Sequence, residues 1–364
     1  MTKRILFLAE AAERLGSSVF LLDFLAWLKA HGLAEAHLLL GAPGGLMNDF
    51  KDVAEVTVLL PDGHATPQAL AKATPLLAKL RAQPFDLIFT NTASTAALLD
   101  LTARPGLPVL LHVMEGAYSL KHVLGIDVVE RLKQKANFFV AASASIEREL
   151  VLDFNLPPQL LRMIPCAARL PRPRENAPHD GFVVLGAGTL NWRKGPDLFV
   201  QLAAEMKRRA PALDARFIWA GKPIEPGIEF KLAYETKLAG VSERVSLLGE
   251  ASDMASLYAK ADAFVLTSRE EPLGLVCVEA AAMGLPVLCF KGAGAAPDFV
   301  RDDAGFCIPF PAIGEMAEAL IRLAGDPELR ASMGRTGQQR ALAQHDMDVV
   351  GPKMWEVILT TQSL

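Results

Sequence analysis

Short apolar runs alternate with longer amphipathic stretches along almost the whole chain. In the first half the pattern predicts strands over 5–9, 38–40, 54–60, 85–90, 108–113, 138–142 and 161–165. Helical patterns lie between them over 19–31, 67–81, 93–103, 127–135 and from 144 onward, with Gly32 closing the first and Ser143 capping the last. A proline-rich, charged stretch without period follows at 171–181 and reads as a linker. The alternation then restarts, with strands over 182–185, 215–220, 245–248, 263–267 and 287–290. Helices are expected over 197–210, 229–239 and 252–260, and the chain closes in helical patterns. Such alternation, with crossover-length gaps, predicts parallel doubly wound sheets. The expected fold class is therefore α/β, with two Rossmann-like domains facing across a cleft. The first domain covers 1–170 and the second 182–345, and a C-terminal helix over 346–364 packs back on the first.

One stretch departs from simple patterning. From Ser268 to Phe290 the residues are mostly small and apolar, yet Glu271 opens the run and Glu279 stands in its middle. A carboxylate in such company needs a partner or a ligand. The local signals are strand to Thr267, helix from Gly274, a stop at Gly284 and Pro286, then the next strand. This places a helix N-terminus at the carboxyl end of a parallel strand, where open α/β sheets bind ligands. Leu273, Gly274, Leu275 and Val276 would present backbone amides suited to phosphate. Glu279 would accept from a ribose diol and Glu271 from a sugar hydroxyl. The plainer alternative makes Glu271 a surface acid and Glu279 a helix residue paired with a lysine.

Composition narrows the function classes. The chain has 364 residues, a net charge of −4 and 51% hydrophobic residues. Neither half is a polycation, which argues against nucleic acid as a partner. Peripheral membrane association stays open, although charge does not indicate it. The four cysteines lack metal-ligand spacing and are expected as buried free thiols. No Asp-x-Asp stands at a strand end, so no metal is expected. The first apolar run is too short for a signal peptide, and no uncharged span reaches transmembrane length. A cytoplasmic protein is expected, with the inner face of the membrane as its outer limit.

Gly186-Ala-Gly188 follows a strand and begins like a dinucleotide-binding turn, but Asn191 stands where the third glycine belongs. The adjacent Arg193 and Lys194 suit a pyrophosphate instead, through charge-assisted hydrogen bonds. A merely solvated basic loop is the alternative.

At this point the sequence resembles a known family. Glu271, seven residues and Glu279, followed by Ala-Ala-Ala-Met-Gly-Leu-Pro-Val, looks like the signature of retaining glycosyltransferases of family 4, which have the GT-B fold. The match extends to Gly188-Thr-Leu-Asn-Trp-Arg-Lys-Gly195, Leu248-Gly-Glu250 and Gly292-Ala-Gly-Ala-Ala-Pro-Asp298, and so covers the second domain. The resemblance implies that Glu279 binds the nucleotide ribose and that Glu271 faces the donor sugar. It also implies that residues 273–275 offer amides to the diphosphate and that Lys194 is the family's lysine. Thr189 stands where the family has arginine, and Arg193 is the candidate replacement. Asp298 stands where glutamate is usual. In the first domain the likeness is looser. Gly16 and Ser17 match a glycine-rich loop near the donor. His112 and Glu115 match a pair lining the acceptor side, although Met114 also aligns with the family histidine. Asn91 is a further acceptor-side candidate, whereas Asp23 and Trp27 read as core or interface.

The resemblance implies transfer of a hexosyl group, with retention, from a nucleoside diphosphate sugar to a carbohydrate or glycolipid acceptor hydroxyl. His112, Glu271 and Lys194 are the expected catalytic residues, and the donor is a substrate rather than a cofactor. Two rivals are an epimerase acting on the same sugar nucleotide and a non-catalytic sugar-nucleotide-binding protein.

Overall fold

The computed structural model describes residues 2–63, 67–171, 179–272 and 274–362. The chain divides into two compact units, Met1–Arg169 with Asp346–Leu364, and Leu170–His345. In the first unit the order is β1 (Lys3–Ala11), α1 (Gly16–Ala30), β2 (Ala34–Ala42), α2 (Met47–Val53), β3 (Glu55–Val58), α3 (Pro67–Arg81) and β4 (Leu87–Asn91). It continues through α4 (Ala96–Thr102), β5 (Val109–Val113), α5 (Ile126–Lys135), β6 (Phe138–Ala141), α6 (Ala144–Leu152) and β7 (Leu161–Met163). The seven strands pair in the order β3-β2-β1-β4-β5-β6-β7, all in parallel. Strand order reverses between β1 and β4, which makes the switch point of this sheet. Phe7, Phe24 and Phe89 interlock beneath it, fully buried.

The second unit runs β8 (Phe182–Ala187), α7 (Pro196–Arg209), β9 (Ala215–Ala220), α8 (Ile228–Leu238), β10 (Val245–Leu247), α9 (Met254–Tyr258) and β11 (Ala263–Leu266). Then come α10 (Leu275–Ala282), β12 (Val287–Lys291), α11 (Ala296–Val300), β13 (Gly305–Pro309), α12 (Ile313–Gly325) and α13 (Pro327–His345). Its six parallel strands follow the order β10-β9-β8-β11-β12-β13, with the switch between β8 and β11. Phe199 packs edge-on against Phe217 and Trp219 in its core.

The last helix, α14 (Met347–Thr361), belongs to the first unit. It lies against α1, where Gly351 meets the Trp27 ring so closely that a Cβ would stand 2.6 Å from it. Ala168 and Asp346 form a parallel bridge where the chain leaves and re-enters this unit.

Some elements differ from the sequence reading. Helix α1 begins at Gly16 rather than Val19, its first turn closed by the Val19 amide donating to the Leu15 carbonyl at 2.9 Å, while the Ser18 hydroxyl ties that turn to the Ala11 carbonyl at 3.3 Å. Helix α2, strand β13 and the short α11 were not anticipated. Among the stretches read as elements or linker, 172–178 lie outside the described residues.

Candidate functional site

In the second unit the candidate residues collect at the carboxyl ends of β8 and β11, beside the switch point. After β8 the chain turns through Asn191, whose side-chain oxygen accepts from the Lys194 amide at 3.0 Å. This cap holds residues 192–194 in a tight turn, and Gly195 then leads into α7 with φ +68°. A Cβ at Gly195 would lie 2.1 Å from the Thr267 carbonyl oxygen, so only glycine allows this turn to press on the end of β11. Thr267 reinforces the contact by donating its hydroxyl to the Gly195 carbonyl at 2.8 Å.

The result is an ion pair far apart in sequence. The Lys194 ammonium donates to Glu271 Oε2, and both side chains are largely buried. Ser268 donates its hydroxyl to the same carboxylate at 3.3 Å. Burial alone would push the Glu271 carboxyl up, but the Lys194 and Arg193 charges and the two hydrogen bonds hold it below its ordinary value. Burial, with Arg193 close by, pushes the Lys194 ammonium down against the pull of Glu271. Arg193 is anchored through Nη1 to the Glu270 carbonyl at 2.9 Å. Its charge acts on both partners of the pair.

The backbone of Glu271 is fixed from the other side. Its amide donates to the Ala293 carbonyl at 2.5 Å, and Glu271 bridges to Gly294. Gly294 has φ +132°, and a Cβ there would fall 1.8 Å from the Glu271 carbonyl oxygen. The glycine-rich loop at 292–295 is thus a strap across Glu271.

Gly274 has φ +76° and forms the N-cap of α10, which starts at Leu275 rather than at Gly274 itself. The Leu275 side chain is buried. Leu273, named with them, lies outside the described residues. Glu279 sits in mid-helix, where Tyr258 of α9 donates to its Oε2 at 2.8 Å. Burial, then the Glu279 charge, pushes the Tyr258 hydroxyl well up, so tyrosine is the donor. One partner of Glu279 is therefore a phenol.

A second clamp holds the basic turn. Arg269 forms a two-pronged pair with Asp197 at 2.9 and 2.6 Å and donates to the Trp192 carbonyl at 2.7 Å. Its guanidinium lies over the Trp192 ring. Ser268, Arg269, Asp197 and Tyr258 escaped sequence reasoning. The polar run Thr267-Ser-Arg at a buried strand end was the available signal for the first two.

The first unit brings its own candidates together at β1, β4 and β5. Asn91 and His112 are register partners at the ends of neighbouring strands. Asn91 donates its amide to the Ser17 carbonyl at 2.9 Å, joining the α1 N-terminus, which Gly16 opens, to β4. His112 is buried against Phe20, 4.6 Å between ring centres, and Phe89. Burial pushes its imidazole down to about 3, so the ring is neutral near pH 7. Asn91 Oδ1 and His112 Nδ1 are among the buried polar atoms with no hydrogen-bond partner among the described residues. Glu115 accepts from the Ser94 and Met114 amides at 3.1 and 3.0 Å. Burial pushes its carboxyl up, against those bonds. A neutral His112 can donate or accept a hydrogen bond, but it holds no spare proton for general acid catalysis near neutrality.

Comparison with known proteins places these features in a family. The family model for glycosyl transferases group 1 matches residues 169–340, and that for the glycosyl transferase 4-like domain matches 15–167. A D-inositol 3-phosphate glycosyltransferase of Arthrobacter sp. is 27% identical over 281 residues, covering 71% of this chain and 66% of the relative. The GDP-mannose-dependent monoacylated alpha-(1-6)-phosphatidylinositol monomannoside mannosyltransferase of Corynebacterium glutamicum is 29% identical over 175 residues, covering 46% and 44%. The chain spans about half the length of the curated relatives it matches. Among solved structures, Anabaena HepE in complex with UDP and glucose has a TM-score of 0.81 at 20% identity, covering 97% of this chain and 98% of that one. Sucrose-phosphate synthase of Thermosynechococcus elongatus has a TM-score of 0.79 at 18% identity, covering 98% of each chain. At such identities the structures speak for the fold alone. The two family models nonetheless follow one another along nearly the whole chain, which therefore belongs to the family 4-like, group 1 glycosyltransferases with the GT-B fold.

Proposed function

We propose that the protein transfers a hexosyl group from a nucleoside diphosphate sugar to an acceptor hydroxyl, with retention and without a metal. The observation that carries this reading is the buried Lys194–Glu271 pair, with Arg193 beside it and the start of α10 next to it. The leaving group is a diphosphate, so the main task is to stabilise negative charge as the glycosidic bond breaks. Two cations held by Asn191, Glu270 and Glu271 are already oriented for that, which lowers the cost of reorganisation at the moment of reaction. Glu271 would turn from Lys194 toward the sugar hydroxyls as the diphosphate draws the lysine away. Glu279, oriented by Tyr258, would take the ribose hydroxyls. The neutral imidazole of His112 would serve as a hydrogen-bond partner to the sugar or acceptor.

The relatives' names point to inositol phosphate and phosphatidylinositol glycoside acceptors for those proteins. The acceptor of this protein would be of the inositol or glycolipid class. The test is a thermal-shift panel of UDP- and GDP-sugars, followed by transfer to inositol phosphate and lipid-linked inositol, with the product's anomeric configuration read by NMR. One sugar nucleotide should raise the melting temperature, and Glu279→Ala should abolish that shift. Lys194→Ala should reduce turnover by about 10²- to 10³-fold. No shift with any sugar nucleotide, or unchanged kinetics in both variants, would sink the assignment.

A further inference from the structure

Helix α8 carries an apolar stripe on the outside of the second unit. Phe230, Tyr234 and Leu238 are 84%, 64% and 70% exposed. They recur every four residues, so they line one face, while Ile228, Leu232 and Thr236 bury the opposite face. Scattered exposed apolar residues are ordinary, but three large ones in register on one helix are not.

The charges around the stripe say what would cover it. At about 100° per residue, Lys237 falls beside Phe230 and Lys231 beside Leu238, so an exposed lysine borders the stripe on each side. Glu229 and Glu235 fall next to the buried face, away from the stripe. Such a cationic rim disfavours a basic partner surface. Lysines that flank an aromatic and aliphatic stripe instead match the boundary of an anionic bilayer. Rings and methyls enter the acyl edge there, and ammonium groups meet the headgroup phosphates.

We infer that α8 is a docking face for an anionic lipid surface, with Phe230, Tyr234 and Leu238 inserted and Lys231 and Lys237 on the headgroups. Net charge cannot reveal this, because the two lysines matter only where they stand. The inference is independent of the donor-site reading, since lipid binding is measured without donor or turnover.

The experiment is co-sedimentation with vesicles of phosphatidylcholine alone and of phosphatidylcholine mixed with phosphatidylglycerol. The protein should pellet with the mixed vesicles and not with the neutral ones, and added salt should weaken the binding. Lys231→Gln/Lys237→Gln should lower affinity about 30-fold. Phe230→Ser/Tyr234→Ser/Leu238→Ser should lose binding with an unchanged melting temperature, because all three side chains already face solvent. The inference is overturned if the protein stays in the supernatant with both vesicles, or if the triple variant pellets like the parent. It is equally overturned if the parent is a dimer in solution that the triple variant converts to monomer, since a second copy would then cover the stripe.

Discussion

The two switch points share a topology and differ in their chemistry. At the β8–β11 switch, Lys194, Glu271, Arg193, Arg269 and Asp197 form charged contacts with partners in place. At the β1–β4 switch and the end of β5, the buried groups are Asn91 and a neutral His112, each with a polar atom unpaired among the described residues. Depressed carboxylates mark the first of these sites and a depressed imidazole marks the second. Desolvation acts at both. In the second unit opposite charges offset it for the carboxylates, while at His112 nothing resists it. A doubly wound sheet therefore fixes where a site stands, and the side chains that reach it decide whether it stores charge or excludes it.

The contrast can be broken most forcefully at the ion pair. Glu271→Ala strands a buried ammonium and should destabilise the second unit by about 3–5 kcal/mol. The double variant Lys194→Met/Glu271→Leu should recover most of that loss. Urea unfolding midpoints for the two variants decide it, and equal losses would mean that the pair is not electrostatically closed. Next in size is the strap. Gly294→Ala should cost about 3 kcal/mol or more, because its Cβ overlaps the Glu271 carbonyl in a backbone region unfavourable to alanine. A melting temperature within experimental error of the parent would refute the strap.

Acid should separate the two sites. The folded value for His112 is about 3, below the ordinary 6.5, so the unfolded chain takes up the proton first. Its contribution is complete above 6.5 and declines as pH falls toward 3, at about 1.4 kcal/mol per pH unit, or about 2 kcal/mol by pH 5. His37 acts in the same direction, while Glu115 and Asp23, pushed up by burial, oppose it. The informative quantity is thus the difference between the parent and His112→Leu in unfolding free energy at pH 7.5 and pH 5. That difference should shift by about 2 kcal/mol. Glu271 and Asp197 are depressed carboxylates, so their contribution persists through this window and fails only below the ordinary carboxylate range. A constant difference would show that His112 is hydrated or paired. Smallest of all, Tyr258→Phe should cost about 1 kcal/mol and weaken donor affinity by less than Glu279→Ala does. Equal effects on affinity would mean that Glu279 acts only through tyrosine.

The alternation of apolar runs was enough to read nearly every strand, since a strand buried on both faces leaves a short uninterrupted apolar signature. Strand β13 (Gly-Phe-Cys-Ile-Pro) was missed because it is short, begins at a glycine and ends at a proline, so it resembles loop. Helix α2 was missed for a similar reason: Phe50 is its one buried residue, and its N-cap Leu46 gives no capping signal. At the site, Lys194 and Glu271 were legible as family motif residues, but their contact spans 77 positions. Tyr258 and Asp197 left no trace because a lone tyrosine or aspartate on an amphipathic helix has no distinguishing pattern. Only the fold, by stacking α9 on α10 and α7 against the end of β11, gives them a partner.

The Ala168–Asp346 bridge has a consequence for how the chain is made. The second unit is an unbroken stretch whose entry and exit are neighbours, so it can reach its final contacts as soon as α13 is synthesised. The first unit, although begun earlier, lacks α14 until translation has passed the whole of its neighbour. During synthesis the earlier-begun unit is therefore the later one to finish, with Trp27 and the α1 surface that will meet Gly351 left uncovered in the interval.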